Sequence, residues 1–348
     1  MSDRDTTIGA DRTHSIGRAG RWTRRQALTA MGASAAFPFA VTPARAKKPA
    51  DDYEVEDVVS FTPDELPEAI TVDRRGNKYL TFPLLGEIRD VPPRGTEASE
   101  FASDLSPVLL GIAATPPGDL YTVSTEFGGG SRAVYRVSRD GEVETLKTFD
   151  MSGPEFLNGI VAEGDRWLIS DSAGGAVWSF ADGVAEEWVT SPLLDPMGGD
   201  PPIGANGVAL DRVGDLYVAN SDKQHIVRIP IEPDGSAGTP DVWAEDDRLQ
   251  GADGIRFDTR ENLYVAVNDQ HAVVRVSEDR NGDATIETLA SAEEGAALDF
   301  PSDLAFGTAR GEQKTLFVVN FAFTPFGSVP KPGLVKIDVG VPGLPINR

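Results

Sequence analysis

The sequence predicts an all-β fold made of six similar units. Two stretches show the repeat most clearly. "GANGVALDRVGDLYVANS", from Gly204 to Ser221, returns 47 residues later as "GADGIRFDTRENLYVAVND", from Gly251 to Asp269. Each joins a short apolar strand to a turn rich in Gly, Asp or Asn and then to a strand rich in β-branched and aromatic residues. Four further segments follow the same pattern, and such self-similarity is typical of a repeat architecture.

The spacing of the repeats predicts a six-bladed β-propeller. Aligned on the residue before "G-I/V" or its equivalent, the units stand 42 to 49 residues apart, which is the length that one four-stranded blade needs. Most units continue into a third strand such as "HIVRIPI", and often into a fourth such as "VETLKTF". Neither a Trp-Asp blade ending nor a kelch double glycine occurs. The six aligned residues are Glu68, Leu110, Asn158, Asn206, Asp253 and Ser302.

An N-terminal strand is predicted to close the ring. The last unit contains "SDLAF", "TLFVVNF" and "GLVKIDV" and then ends in "PGLPINR", so it lacks an outer strand. The stretch "DYEVEDVVSF" (52–61) alternates apolar and polar residues and has no partner of its own. Pairing between the two would remove an exposed sheet edge. We therefore expect a single propeller domain over residues 47–348.

Residues 1–46 are predicted to form a twin-arginine signal peptide. Arg24 and Arg25 precede a mildly apolar stretch and the small-x-small site Ala44-Arg45-Ala46. Ala27 replaces the usual bulky residue, and a disordered basic tail is the alternative interpretation. No other stretch approaches the roughly 18 apolar residues of a membrane helix. We expect a protein without a membrane span that is exported to the periplasm or beyond.

Composition excludes several classes of function. The chain carries 55 acidic and 32 basic residues and a formal charge of −23, which argues against nucleic acid and anionic membranes as partners. It contains no cysteine, so neither disulfides nor thiolate chemistry is available. The oligomeric state is not specified by these features.

Four of the six aligned residues predict a metal site. The first strand of each blade lines the channel of a propeller, so Glu68, Asn158, Asn206 and Asp253 should converge from different blades. Two carboxylates and two amides form a set of hard oxygen ligands, which favours Ca²⁺, although another divalent cation would fit the same oxygens. Zn²⁺ would recruit histidine or cysteine, and neither occupies an aligned position.

A turn-forming role is the alternative for these residues. Asn-Gly and Asp-Gly are common turn dipeptides because they tolerate positive φ, and on that interpretation they only start strands. Two details argue against it. The "G-I" half of the motif is kept after Leu110, which supplies no oxygen. Glu68 is a poor turn residue, yet it precedes Asp73 by five residues, as Asp253 precedes Asp258. The later aspartates of the units, at 73, 211 and 258, are themselves predicted turn formers.

The ordered set Glu, none, Asn, Asn, Asp on a six-bladed ring resembles the senescence-marker-protein, gluconolactonase and luciferin-regenerating-enzyme family. Its wider relatives are paraoxonases, diisopropyl fluorophosphatase and strictosidine-synthase-like propellers. "NG", "DG" and "LYVAN" are the clearest shared motifs. The resemblance implies metal ligation by Glu68, Asn158, Asn206 and Asp253 and a role for Asp253 as catalytic base or nucleophile. It further implies calcium-dependent hydrolysis of a lactone, an ester or a phosphotriester.

The sequence departs from the sugar-lactone members of this family. They carry Arg and Asn-Asp around the third-blade ligand, whereas Phe156, Leu157 and Gly159 flank Asn158 here. "YVANSDKQHIVRI" also resembles NHL repeats, which are commonly binding scaffolds without chemistry. A non-catalytic propeller that binds a ligand or protein, with any calcium structural, is therefore the second hypothesis.

A metal-dependent lyase is a third hypothesis, and it needs a histidine near the metal. Only His225 and His271 could supply one. They are aligned at the same place in successive repeats, which favours a shared structural role at the start of the third strand.

Two further groups of residues have two interpretations each. Phe321, Phe323 and Phe326 in "NFAFTPFGSVP" indicate either an apolar small-molecule substrate or packing between blades. Four residues are aligned at the ends of second strands, where they could hydrogen-bond to the ligands or cap turns: Asp171, Asn220, Asn268 and Asn320.

Overall fold

The computed structural model describes residues 53–105, 108–126, 131–150, 153–199 and 201–345. These residues form six four-stranded antiparallel sheets and two one-turn 3₁₀ helices, Asp247–Leu249 and Ala292–Glu294. The predicted all-β, six-bladed propeller is confirmed. The predicted signal peptide lies outside the described residues. Within the described ranges, no helix is long and apolar enough to cross a membrane.

The strands of blades 1 to 3 follow one another within each sheet. The first strand of the described residues, β1 (Val55–Ser60), belongs to blade 6. Blade 1 contains β2 (Ile70–Val72), β3 (Lys78–Phe82), β4 (Glu87–Val91) and β5 (Ser99–Ala102). Blade 2 contains β6 (Leu109–Ala114), β7 (Leu120–Thr125), β8 (Arg132–Val137) and β9 (Val143–Phe149). Blade 3 contains β10 (Leu157–Glu163), β11 (Arg166–Asp171), β12 (Ala176–Ala181) and β13 (Val184–Thr190).

Blades 4 and 5 repeat this order, and blade 6 is completed by β1. Blade 4 contains β14 (Ala205–Leu210), β15 (Leu216–Asn220), β16 (His225–Ile229) and β17 (Asp241–Glu245). Blade 5 contains β18 (Ala252–Phe257), β19 (Leu263–Val267), β20 (Ala272–Glu278) and β21 (Ala284–Ser291). Blade 6 contains β22 (Pro301–Phe306), β23 (Thr315–Asn320), β24 (Gly333–Asp338) and β1.

The ring is closed by β1, as predicted. It pairs antiparallel with β24, with Val55 opposite Ile337 and Ser60 opposite Gly333. The outermost strand of the last blade therefore comes from the beginning of the described chain. Without it, β24 would present a row of unpaired backbone groups at the edge of the sheet.

The core lies between neighbouring blades. A buried apolar cluster occupies each junction of the ring. At the junction of blades 4 and 5, for example, Ala219 and Ile226 pack with Ile255, Val265 and Val274. The second strands are covered on both faces, and every residue of β15 and β19 is buried. This explains why "LYVAN" and "LYVAV" have no polar face.

The predicted turn-forming aspartates are confirmed. A side-chain oxygen of Asp73 accepts hydrogen bonds from the backbone N–H groups of Arg75 and Asn77. The carboxylates of Asp211 and Asp258 accept equivalent bonds in the matching turns of blades 4 and 5. Each carboxylate thus accepts hydrogen bonds from backbone N–H groups in the turn between the first and second strands of its blade.

In blades 2 to 5, glycine follows the aligned residue because neighbouring first strands approach closely. A Cβ atom added to Gly111 would lie closer than 3.0 Å to the carbonyl oxygen of Asn158 in the next blade, and one on Gly207 would meet that of Asp253. Neither glycine has a positive φ, and both lie inside strands. The turn interpretation of these dipeptides is therefore wrong: packing between blades selects the glycine.

Gly111→Ala is expected to destabilise the ring by about 2 kcal/mol or more, because the added methyl group overpacks a rigid backbone contact. Gly282→Ala is the matched control. Its Cβ would meet nothing within 4 Å, and the positive φ of 85° there should cost only about 1 kcal/mol. Urea unfolding of both variants measures the difference. Equal midpoints would show that the close approach of the first strands does not constrain position 111.

Candidate metal centre in the central channel

A β-bulge directs the aligned residues toward the axis. In blades 2 to 6 the register between the first and second strands shifts by one residue at the aligned position. The bulge sets two residues opposite one and re-aims a side chain. In blades 3, 4 and 5 it contains Asn158, Asn206 and Asp253. In blade 1, Glu68 precedes β2 and is held by a 2.9 Å bond from its N–H to the carbonyl of Thr81.

The four predicted ligands line one cavity on the axis. Glu68, Asn158, Asn206 and Asp253 surround about 20 Å³ of space, which is enough for a water-sized occupant or a single ion. All four side chains are buried. Leu110 instead packs into the cluster between blades 2 and 3, so blade 2 contributes no oxygen side chain, as predicted.

Serine hydroxyls fix the orientation of the two amides. Nδ2 of Asn158 donates to Oγ of Ser172 at 3.1 Å, and this hydroxyl donates to the carbonyl of Ala205 at 2.6 Å. A hydroxyl has a single hydrogen, so Ser172 can only accept from the amide. Asn206 and Ser221 repeat the arrangement at 3.0 Å in the next blade. In both, the amide nitrogen is engaged by serine, and Oδ1 is left as the acceptor for the cavity.

The predicted alignment of Asn268 with Asp171 and Asn220 is wrong by one residue. Asp171 and Asn220 stand opposite the first residues of their neighbouring strands, and Val267 has that place in blade 5. Asn268 therefore corresponds to Ser172 and Ser221. Its Nδ2 donates to Oδ2 of Asp253 at 3.1 Å, so it does contact a candidate ligand.

The other three strand-end residues hold loops instead. Asp171 accepts the backbone N–H groups of Glu155 and Phe156 at 2.8 and 2.7 Å. Asn220 donates to the carbonyls of Leu193 and Asp195, and Asn320 accepts the N–H of Asp299. Capping is the correct interpretation for these three. The serines that do contact the amides were missed, although each is the first residue after its second strand.

The two histidines do not hold equivalent positions. His225 opens β16 and is buried, with its Nε2 2.8 Å from the carbonyl of Leu193, which confirms its structural role. His271 precedes β20 and has a φ of 48°, and so corresponds to Gln224, whose φ is 57°. The predicted equivalence is wrong by one residue. Neither histidine is among the described residues that line the axial cavity.

Asp303 and Arg256 also line the cavity, and neither was predicted. Asp303 follows Ser302 and stands where blades 2 to 5 carry glycine and blade 1 carries Ala69. Its two carboxylate oxygens accept the N–H groups of Ile70 at 2.9 Å and Leu304 at 2.8 Å. Nη2 of Arg256 lies 3.5 Å from Oδ2 of Asp303. An acidic residue in place of a packing glycine is the signal that could have identified Asp303.

The cavity holds more negative charge than its own groups balance. Burial raises the pKa of Glu68 well above its ordinary value, and the charges of Asp253 and Asp303 raise it further. Burial and Asp303 likewise raise the pKa of Asp253, against hydrogen bonds from Asn268 and Asn206 that lower it. Oε2 of Glu68 is buried without a hydrogen-bond partner among the described residues. A buried carboxylate oxygen of this kind needs a proton or a cation.

Any cation here would be bound by a mixed set of oxygens. Within the described part of the chain, no group of three or more histidine or acidic side chains is arranged to hold a metal ion by itself. The two carboxylates and two amides around the axis, with water, are nevertheless the ligand types that Ca²⁺ accepts. The residues present therefore fit the predicted ion, while its binding stays a prediction.

The phenylalanines after β23 divide between the two interpretations. Phe321 and Phe323 are stacked with ring centroids 5.2 Å apart, and they pack with Leu66, Leu84 and Phe300. Packing between blades is therefore correct for this pair. Phe326 is 44% exposed, and its ring meets that of His271 in an edge arrangement with centroids 5.2 Å apart. It lies in the loop on the face of the ring at which the first strands begin.

Comparison with solved structures agrees with the fold. No protein-family model matches the sequence, and no curated protein matches it. A suspected gluconolactonase superposes with a TM-score of 0.62 at 18% identity, covering 85% of this chain and 95% of that one. A luciferin-regenerating enzyme gives 0.64 at 14% identity, with 84% and 97% covered. Virginiamycin B lyase from Staphylococcus aureus gives 0.51 at 14%, with 77% and 85% covered. These likenesses show that the chain has the fold of these six-bladed propellers.

Because burial raises the pKa of Glu68 in the folded state, we expect the free energy of unfolding to decrease as pH rises when cations are chelated. An acid whose pKa is higher in the folded than in the unfolded state holds extra protons when folded, so the free energy of unfolding decreases as pH rises above the ordinary value of 4.5 for Glu68. We expect Glu68→Gln to match wild type near pH 5 and to exceed it by several degrees in Tm at pH 8, at about 2–4 °C per kcal/mol.

Thermal unfolding in excess chelator at both pH values measures this difference. Glu186→Gln, an exposed change on β13, is the control and should shift Tm equally at both. A constant difference between Glu68→Gln and wild type across the pH range would contradict the assignment of Glu68 as a strained buried acid.

Proposed function

We propose that the protein is a calcium-dependent hydrolase that acts on a lactone, an ester or a phosphotriester in the central channel. Glu68, Asn158, Asn206 and Asp253 would hold the ion. The observation that supports the proposal most directly is the buried oxygen cluster itself. Its two amides are oriented by serines, and one carboxylate oxygen of Glu68 is unpartnered.

The donor set suits Ca²⁺ by charge and by oxygen type. Glu68 and Asp253 would supply two negative charges, and the Oδ1 atoms of Asn158 and Asn206 two neutral oxygens. A divalent cation would relieve the repulsion between the carboxylates, which raises the pKa of both. When bound, Ca²⁺ would polarise the substrate's carbonyl or phosphoryl oxygen and stabilise the charge that develops there.

Asp253 is the proposed base or nucleophile. Its Oδ2 accepts the amide of Asn268 at 3.1 Å, which fixes the carboxylate that would take a proton from water or attack the substrate. Burial and the negative charge of Asp303 raise the pKa of Asp253, and both therefore make it a stronger base than a solvated aspartate. Asn268 acts as a positioning residue.

The substrate would be a small molecule whose reacting group enters the narrow axial cavity. Phe326 is the exposed aromatic residue on the face at which the ligands lie, and it would contact an apolar substituent. Sugar contacts are not expected from blade 3, because Phe156 and Leu157 are buried in the cluster between blades. The fold likeness to a gluconolactonase supports the reaction class rather than a sugar substrate.

A non-catalytic binding propeller is the second candidate. Two observations favour it. Phe156 and Leu157 are buried and replace the residues that sugar lactonases use beside the third-blade ligand, and the third strands resemble NHL repeats. In that case calcium would serve only to fix the channel. Export through the twin-arginine route remains part of the proposal, supported by Arg24, Arg25 and the site ending at Ala46.

Asp253→Asn is expected to lower hydrolysis of aryl esters or aliphatic lactones by about 10²-fold or more, since it removes the base, and to weaken calcium binding. Titration calorimetry and a substrate panel measure the two effects. Glu186→Gln should alter neither. Calcium binding without turnover of any substrate would favour the binding propeller, and no calcium binding by wild type would overturn the metal centre.

Ser221→Ala is expected to weaken calcium binding about 10- to 100-fold, because Asn206 loses the hydroxyl that turns its Oδ1 toward the axis. The variant retains every proposed ligand but also loses the bond from Ser221 to the carbonyl of Ala252, so its Tm is measured beside its affinity to separate the two effects. Ser236→Ala, at an exposed serine, is the control for calorimetry. Unchanged affinity in Ser221→Ala would show that Asn206 does not depend on this bond.

A further inference from the structure

Four charged side chains line the axial cavity, and one of them is basic. Glu68, Asp253 and Asp303 supply three carboxylates, and Arg256 supplies the only guanidinium group among the described lining residues. With the acids ionised, three negative charges and one positive charge give the lining a net charge of −2. The predicted ligand set of two carboxylates and two amides carries the same charge, so Arg256 and Asp303 cancel each other at the cavity wall.

Arg256 occupies a level of the channel at which no other blade carries a charged residue. The residues that stand three places after the aligned position in the other blades are Thr71, Ala113, Val161, Ala209 and Ala305. The propeller fold therefore does not require a guanidinium group at this level. The arginine of blade 5 coincides instead with the departure in blade 6, where Asp303 replaces a small residue.

Asp303 is held in place by contacts with three blades. Its Oδ1 accepts the N–H of Leu304 at 2.8 Å in its own blade, and its Oδ2 accepts that of Ile70 at 2.9 Å in blade 1. Nη2 of Arg256, in blade 5, lies 3.5 Å from the same Oδ2. A Cβ added to Gly254 would lie closer than 3.0 Å to Oδ1 of Asp303, so the carboxylate packs directly against the first strand of blade 5.

Asp303 is bonded differently from the candidate ligand Glu68. Each oxygen of Asp303 accepts a backbone N–H, whereas Oε2 of Glu68 has no partner among the described residues. Burial raises the pKa of Asp303, while Arg256 and the two N–H groups lower it. The carboxylates of Glu68, Asp253 and Asp303 are not arranged to hold a metal ion together. Asp303 is therefore the counter-ion of Arg256 rather than a further ligand.

The guanidinium group of Arg256 can compensate charge but cannot bind a cation. It has N–H donors and no lone pair to offer. Nη1 donates to the carbonyl of Ile255 at 2.7 Å, which leaves Nη2 directed at Asp303. The side chain is 28% exposed, so solvent screens part of its charge.

We infer that Arg256, through its pair with Asp303, keeps the charge of the cavity lining at −2 and so makes the site selective for divalent over trivalent cations. The inference rests on the proposed metal centre. Without the guanidinium group, three carboxylates would face the ion, and the attraction would grow with each charge that the ion carries. At an effective dielectric constant of roughly 20, a unit charge about 8 Å from an ion changes its affinity by more than about tenfold per ionic charge. Arg256 is thus a specificity-determining residue that does not touch the ion.

The test compares Ca²⁺ with Tb³⁺, a trivalent ion of similar size that also prefers oxygen ligands. Titration calorimetry of the full chain at about pH 7 gives the ratio of the two affinities. Arg256→Gln should raise the ratio of Tb³⁺ to Ca²⁺ affinity about tenfold or more, whereas Arg256→Lys keeps the charge and should stay near the wild-type ratio. Arg212→Gln is the matched control, because this arginine pairs with Glu261 at 2.7 Å, and it should change the ratio less than about twofold.

Two changes at Asp303 complete a double-mutant cycle. Asp303→Asn alone should lower the ratio of Tb³⁺ to Ca²⁺ affinity about tenfold, since the guanidinium group is then left without its counter-charge. Arg256→Gln combined with Asp303→Asn restores the net charge and should restore the wild-type ratio. The opposite sign of the Asp303→Asn effect keeps the inference testable if Arg256→Gln fails to fold.

Three results would overturn the inference. An equal ratio in Arg256→Gln and Arg212→Gln would show that the guanidinium group does not select the ion. A double variant that binds neither ion would make Asp303 a ligand. A wild type that binds neither ion would overturn the metal centre together with the inference. Absence of turnover, with the ratio shifted as expected, would contradict the hydrolase proposal alone, so the two failures are distinguishable.

Discussion

The structure depends on hydroxyl groups that bridge from one blade to the first strand of the next. Thr125 donates to the carbonyl of Leu157, Ser172 to Ala205, Ser221 to Ala252 and Ser302 to Glu68, at 2.5 to 3.1 Å. Each bond acts at the channel wall, where the sheets converge and glycine lets their backbones approach. Since a buried carbonyl must be satisfied, these bonds set the distance between separate sheets, which share no backbone ladder.

The same bonds connect the fold to the candidate site. A serine that gives its only hydrogen to a neighbouring carbonyl can offer an asparagine nothing but a lone pair, so the packing of the ring decides which end of the amide faces the axis. The carboxylates of the site, by contrast, are not satisfied by their neighbours. Glu68, Asp253 and Asp303 lie close together with too few hydrogen-bond donors. The rigid ring keeps them close at a cost in free energy, which residues on a flexible loop would avoid by moving apart.

Much of this arrangement could be predicted because propeller blades repeat. A constant interval between first strands placed Glu68, Asn158, Asn206 and Asp253 at one level, and the missing outer strand of the last blade identified β1. Errors arose where two repeats carry the same residue type at positions that differ by one. Asn268 and His271 were aligned by residue type with Asn220 and His225, whereas the strand register follows the apolar pattern and shifts both. Asp303 was missed because only the residue before it was compared between blades, although it departs from the glycine that blades 2 to 5 carry. Cavities depend on side-chain packing that a repeat does not encode.

Closure by β1 has a consequence for how the chain folds. Val55 pairs with Ile337, so the first described strand has its partner almost at the other end of the chain. Local hairpins within each blade can form early, but this contact requires the largest loop in the protein to close. Until β24 is made, β1 therefore has no partner strand, and the five blades between them can form only an open arc.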